Sequence, residues 1–124
     1  MQVRGIRGAI TVIDNTSEAI LAATRELLGG ILTANPSLDT AGIASALFSV
    51  TDDLNEAFPA QAARELGWVK VPMLCFREIP VPDSLPKCIR ILIHWNTDVR
   101  QEAVKHVYLR GAGTLRPDLE ERVP

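Results

Sequence analysis

A chain of 124 residues, 47% hydrophobic and 23% charged with a net charge of −2, suits one domain with an ordinary core. No apolar run approaches the ~20 residues of a membrane-spanning helix. No Lys/Arg cluster offers a footprint for nucleic acid or an anionic membrane. The two cysteines, Cys75 and Cys88, form no CxxC and have no metal spacing. With no apolar signal segment before the first strand-like residues, a cytoplasmic protein with reduced thiols is the expectation.

Val3 to Val12 predicts the first strand. Arg7 shares a face with Val3, Gly5, Ala9 and Thr11, while Ile6, Ile10 and Val12 lie opposite. Gly5 and Gly8 leave room beside Arg7, as at a bulge or a close approach by a ligand or another chain. Taken alone, Arg7 is a solvent-facing strand residue. Asn15-Thr16-Ser17-Glu18 predicts a helix start with Asn15 as cap and Glu18 three residues on. That helix runs to about Ala34 on a stripe of Ile20, Ala23, Leu27, Leu28, Ile31 and Leu32. Asn35-Pro36 ends it.

Gly42 to Val50 predicts a second strand, whose small residues, Ser49 among them, permit close packing. A turn at Thr51-Asp52-Asp53-Leu54 leads to a two-turn helix between Pro59, a favoured first position, and Gly67, a favoured stop. Val69 to Phe76 predicts a third strand. Pro72 makes it an edge or a strand beginning. Three prolines within residues 80–86 make the next connection irregular. Lys87 to Thr97 predicts a buried strand, with Ile89, Ile91, Ile93 and Trp95 on one face and Arg90, Leu92, His94 and Asn96 on the other. One helical turn near residues 100–103 precedes a last strand, Lys105 to Leu109. The tail, Arg110 to Pro124, is expected to pack loosely or become mobile toward its end. The sum is an α+β (mixed α/β) domain with about five strands, one long helix and one short one, the helices on one sheet face. The other face needs a cover, which oligomerisation could supply.

No nucleophile–base pair, phosphate loop or dinucleotide fingerprint is present. His94 and His106 read as satisfied structural histidines, and Cys75 as a small core residue. What stands out is arginine in strand contexts: Arg7 and Arg90, with Arg64 and Arg116, near Glu78 and the only tyrosine, Tyr108. The guanidinium fork matches a carboxylate and stays charged, so Arg90 on a buried strand needs an anionic partner. That partner is a small anionic ligand or an internal carboxylate such as Glu78, and spacing leaves the two readings level.

Several stretches in order resemble the small monofunctional chorismate mutases of the AroH class. These are Arg4-Gly5-Ile6-Arg7-Gly8-Ala9, Thr51-Asp52-Asp53-Leu54 with Phe58-Pro59-Ala60, Cys75 and Glu78, Lys87-Cys88-Ile89-Arg90, His106-Val107-Tyr108-Leu109 and Leu115-Arg116-Pro117-Asp118-Leu119. The resemblance runs from about residue 3 to 119. It implies one domain, a homotrimeric pseudo-α/β-barrel with active sites between subunits, and the Claisen rearrangement of chorismate to prephenate on the way to phenylalanine and tyrosine. No cofactor or metal is implied, because the reaction is an intramolecular shift. By resemblance Arg90 faces the ether oxygen and a carboxylate. Arg7 and Tyr108 grip the enolpyruvyl carboxylate, and Glu78 and Cys75 meet the ring hydroxyl. Phe58, Arg64, Leu115 and Arg116 are similar to residues supplied by the adjacent subunit and its tail. Ala60, Leu74, Phe76 and Arg77 complete the implied binding set. Gln61 stands where some members have lysine, and Leu74 where threonine can occur. A trimeric imine or enamine deaminase and a non-catalytic carboxylate-binding module are the competing classes.

Overall fold

Strand β4 (Cys88–Thr97) lies at the centre of a five-stranded mixed sheet. Its alternation explains why. Ile89, Ile91, Ile93 and Trp95 are buried at 3% exposure or less on one face, so the strand must be covered there and paired on both edges. In the computed structural model, which describes residues 1–115, β1 (Gln2–Thr11) and β2 (Ile43–Val50) flank it, both antiparallel. β3 (Met73–Arg77) runs parallel to β2 at one edge and β5 (Val107–Leu109) parallel to β1 at the other, giving the order β3-β2-β4-β1-β5.

Helix α1 (Ser17–Ala34) lies on the Ile89–Trp95 face through Ile20, Ala23, Leu27, Leu28 and Ile31, against Ile6, Ile10 and Phe48. Each large aliphatic so buried contributes about 1.5–3 kcal/mol. Gly8 belongs to this face. A Cβ there would lie 2.8 Å from Ile31 Cδ1 and 3.0 Å from Ile91 Cγ2, so the close approach at this glycine is made by α1. Thr24, which the apolar stripe omits, is fully buried because its hydroxyl donates to the Ile20 carbonyl at 2.7 Å.

Three boundaries differ from the sequence expectation for a visible reason. The cap of α1 is Thr16, whose hydroxyl accepts from the Ala19 N–H at 3.1 Å. Asn15 is drawn away by Asn55, exchanging side-chain and main-chain bonds at 2.9 and 3.0 Å. β3 begins after Pro72 and not at Val69. The Pro72 carbonyl accepts the first ladder bond from Ala46, while Trp68 and Val71 fill the core outside the strand. β5 is only three residues long, because the Asn35 side chain takes both main-chain groups of Lys105 at 3.0 and 2.9 Å. The described start of the tail, Arg110–Thr114, is a 3₁₀ turn, and the tail beyond Leu115, expected to be loose or mobile, lies outside the described residues. Ala112 is fully buried in this turn, and Arg110, at φ 54, bonds Thr11 and Glu26.

Helix α2 (Ala60–Glu65) follows Pro59 and stops at Gly67, whose φ of +99 favours glycine. The second sheet face carries no helix among the described residues. Ala9, Cys88, Tyr108 and Ala112 form a small second core there, with Leu85 and Leu115 against it. No helix of the described residues is long and apolar enough to cross a membrane.

Candidate active site

The register of the sheet sets one transverse row on the helix-free face. Phe76 of β3 pairs with Ser49 of β2, Ser49 with Arg90 of β4, Arg90 with Ala9 of β1, and Ala9 with Tyr108 of β5. All five line one cleft of about 460 Å³. The next row on that face adds Arg7, Leu92 and Leu47, and Leu115 closes one end. Ala9 matters by being small, since a larger side chain between Arg90 and Tyr108 would fill the floor.

Arg90 faces Glu78, the residue just after β3, Nε to Oε1 at 3.3 Å; Glu78 itself lines a neighbouring pocket with Asp53 and Leu85. The buried Nε–H has no hydrogen bond, so at this angle the pair is held by charge. The other Glu78 oxygen, Oε2, accepts from the Ser49 hydroxyl. The Arg90 side chain is 41% exposed and that of Glu78 22% exposed, so the guanidinium is anchored on one side and open to the cleft on the other. Of the partners the sequence left open, the internal carboxylate is present on one edge of the fork, and the rest of the guanidinium lines the cleft.

Arg7 stands beside this pair, exposed, and among the described residues no carboxylate answers its guanidinium. Its main chain is held where β5 has not yet begun: the Arg7 N–H donates to His106 Nδ1 at 2.9 Å. One residue pair further out, the Gln101 amide closes a two-bond ring with Gly5 at 2.9 and 2.8 Å. The side chains of Gln101 and His106 thus continue the edge that β5 is too short to cover. His94 is bonded to Ser45, 2.8 Å from Nδ1 to Oγ. Cys88 lies beneath the floor, and burial pushes its thiol from 9.0 up to about 11, with Glu78 pushing the same way and Arg90 opposing. It is an inert thiol. Among the described residues no group of three or more His, Cys, Asp or Glu could hold a metal ion.

The remaining residues named from the sequence fall elsewhere. Cys75 pairs with Phe48, so it sits on the row that faces the helices, packs on the main core and lines a second cleft. That cleft, about 700 Å³, also holds Phe58, Gln61 and Arg77, and Phe76 is the wall shared by the two. Phe58 is 69% exposed at its rim and Leu74 is 60% exposed on the sheet. Ala60 is buried, and Arg64 is exposed on α2. Arg77 forms a surface pair with Asp52 at 3.4 Å. Arg116 lies outside the described residues. Sequence reasoning missed Ser49 as the bond that aims Glu78, and Ala9 as the floor. Only register reveals either, and no local pattern carries it.

The family model described as chorismate mutase type I matches residues 3–119. The chorismate mutase AroH of Thermus thermophilus is 58% identical over 118 residues, which cover 95% of this chain and 97% of that protein. The chorismate mutase AroH of Bacillus subtilis (strain 168) is 46% identical over 120 residues, covering 96% and 94%. A solved chorismate mutase from Clostridium thermocellum has a TM-score of 0.84 at 50% identity, covering 87% of this chain and 96% of that one. The matched span takes in all five strands of the row and both clefts, and the chain belongs to the type I chorismate mutase family.

Proposed function

We propose that this chorismate mutase rearranges chorismate to prephenate, the branch step toward phenylalanine and tyrosine, in the cleft above Arg90. The reaction moves electrons within one molecule and transfers no proton to the protein. The protein has two tasks: to hold the compact reactive conformer, and to stabilise the negative charge that grows on the ether oxygen as its C–O bond breaks. Arg90 meets the second task. Its terminal N–H groups donate to the ether oxygen and to a substrate carboxylate, while Glu78 holds its other edge. Arg7 and Tyr108 receive the enolpyruvyl carboxylate. Glu78, aimed by Ser49, takes the ring hydroxyl.

The reading extends to a homotrimer working in the cytoplasm. A sheet face with half-buried Leu47 and Leu92, exposed Leu74 and, among the described residues, no helix over it supports a neighbouring subunit there. Phe58, Ala60, Arg64, Leu115 and Arg116 then belong to the walls between subunits. The observation that carries the function is the half-open Arg90 fork, anchored by one carboxylate within a cleft of metabolite size. The test is chorismate turnover, followed by loss of its ultraviolet absorbance, for the wild type and Arg90→Ala, with sedimentation to read the assembly. Unimpaired turnover by Arg90→Ala would sink this reading of the cleft, and a monomeric, active protein would sink the trimer.

A further inference from the structure

One carboxylate holds the turn from which Arg90 is launched. Lys87, the residue before β4, has φ 47, a left-handed conformation that strains any side chain with a Cβ. Its N–H donates to both oxygens of Asp53, at 3.1 and 3.0 Å, and its carbonyl accepts from Val12 at 2.7 Å. Thr51 completes the clamp. Its hydroxyl donates to Asp53 Oδ1 and accepts from the Cys88 N–H at 3.0 Å, and its own N–H donates to the Cys88 carbonyl at 3.1 Å. The relay has one direction because a carboxylate only accepts. It orients the Thr51 hydroxyl, which leaves the hydroxyl oxygen free to accept from Cys88. The 51–53 turn therefore answers three of the four main-chain polar groups of Lys87 and Cys88.

Two residues further, Arg90 pairs with Ser49, the hydroxyl that aims Glu78. The same turn leaves β2 just past Ser49 and clamps β4 just before Arg90. We infer that Asp53 is a positioning residue for Arg90: it fixes the left-handed turn at Lys87, and through it the register in which Arg90 meets Glu78. Asp53 lines neither the Arg90 cleft nor the one that shares Phe76 with it. The inference rests on the reading that Arg90 acts on the substrate.

The experiment measures kcat and KM for chorismate, with circular dichroism and thermal melts, on wild type, Arg90→Ala, Asp53→Ala, Lys87→Gly and the Asp53→Ala/Lys87→Gly double variant. Asp53→Ala lowers kcat by about ten- to a hundredfold, the scale of a misplaced catalytic group, at temperatures well below its melt. Lys87→Gly alone stays within about twofold of wild type, because glycine adopts this φ without strain, and among the described residues the Lys87 side chain bonds only the Ile13 carbonyl, at 3.5 Å. The double variant recovers to within about threefold of Lys87→Gly, since the turn no longer needs its clamp. An Asp53→Ala enzyme with wild-type kcat, whatever its melting temperature, overturns the inference, and so does a folded double variant as slow as Asp53→Ala. Where Asp53→Ala does not fold, Asp53→Asn with and without Lys87→Gly carries the same comparison. Full activity in Arg90→Ala instead removes the reading of the cleft, independently of what the Asp53 variants do.

Discussion

Arg90→Lys keeps the charge and removes the fork. In the native arrangement one edge of the guanidinium is turned to Glu78 at 3.3 Å, and the terminal nitrogens remain for the substrate. A single ammonium cannot serve both. Glu78, 22% exposed, is the fixed anion already in place, so it holds the lysine away from the ether oxygen. The two charge-assisted hydrogen bonds to the ether oxygen and the carboxylate are then missing in the transition state, at about 1.5–3 kcal/mol each. A barrier higher by about 3 kcal/mol or more lowers kcat by ~10²-fold or more. Stability responds far less. With Arg90 41% exposed, the ion pair is screened and contributes about 1 kcal/mol or less to folding. The variant should keep the wild-type circular dichroism and melt close to it while losing turnover of chorismate, read by absorbance. A folded Arg90→Lys enzyme within about tenfold of wild-type kcat would refute the role given to the fork. Gross unfolding of Arg90→Ala would return the pair to a structural part.

Three further outcomes are expected. Because the folded Cys88 thiol titrates near 11 and the unfolded one near 9.0, the unfolded chain releases its proton first as pH rises. The stability conferred is whole below pH 9.0 and is lost on the way to 11, by up to about 3 kcal/mol. Denaturation midpoints against pH should fall more steeply in this window for wild type than for Cys88→Ala, and equal slopes would contradict the burial argument. Gly8→Ala drives a Cβ to 2.8 Å from Ile31. It should cost about 1–3 kcal/mol in urea unfolding, and an unchanged midpoint would mean that α1 yields freely. Thr16→Ala should remove about 1 kcal/mol by uncapping α1, whereas Asn15→Ala should leave the helix signal intact. The reverse result would make Asn15 the cap.

Much of the fold was legible because burial leaves a periodic trace. The alternation of Ile89, Ile91, Ile93 and Trp95 identified the central strand, and the stripe from Ile20 to Ile31 identified its cover. Pro72 marked an edge strand and Gly67 a helix stop, by the N–H that one lacks and the Cβ that the other lacks, although the strand was expected to start at Val69. Boundaries were lost where a polar side chain replaced main chain. Asn35 took the bonds of Lys105 and shortened β5, and Asn55 competed for Asn15 and moved the cap to Thr16. In the site, residue type pointed to Arg90, Arg7 and Tyr108, and the resemblance gave them roles. That Ala9 and Ser49 stand on either side of Arg90, and that Cys75 turns to the other face, depends on register across strands far apart in sequence.

The transverse row has a consequence for folding. Phe76, Ser49, Arg90, Ala9 and Tyr108 come one from each strand, and residues 9 and 108 become neighbours only when the two ends of the chain have met. No hairpin or fragment contains the site, and the closure that brings Ala9 to Tyr108 is among the longest between the described residues. Its weakest member is the three-residue edge strand that carries Tyr108. Opening of that strand disassembles the row while the central strands are still paired. Catalytic competence should therefore be the last property gained on refolding and the first lost on warming, ahead of the helical signal, which makes turnover a more sensitive gauge of the native state than circular dichroism.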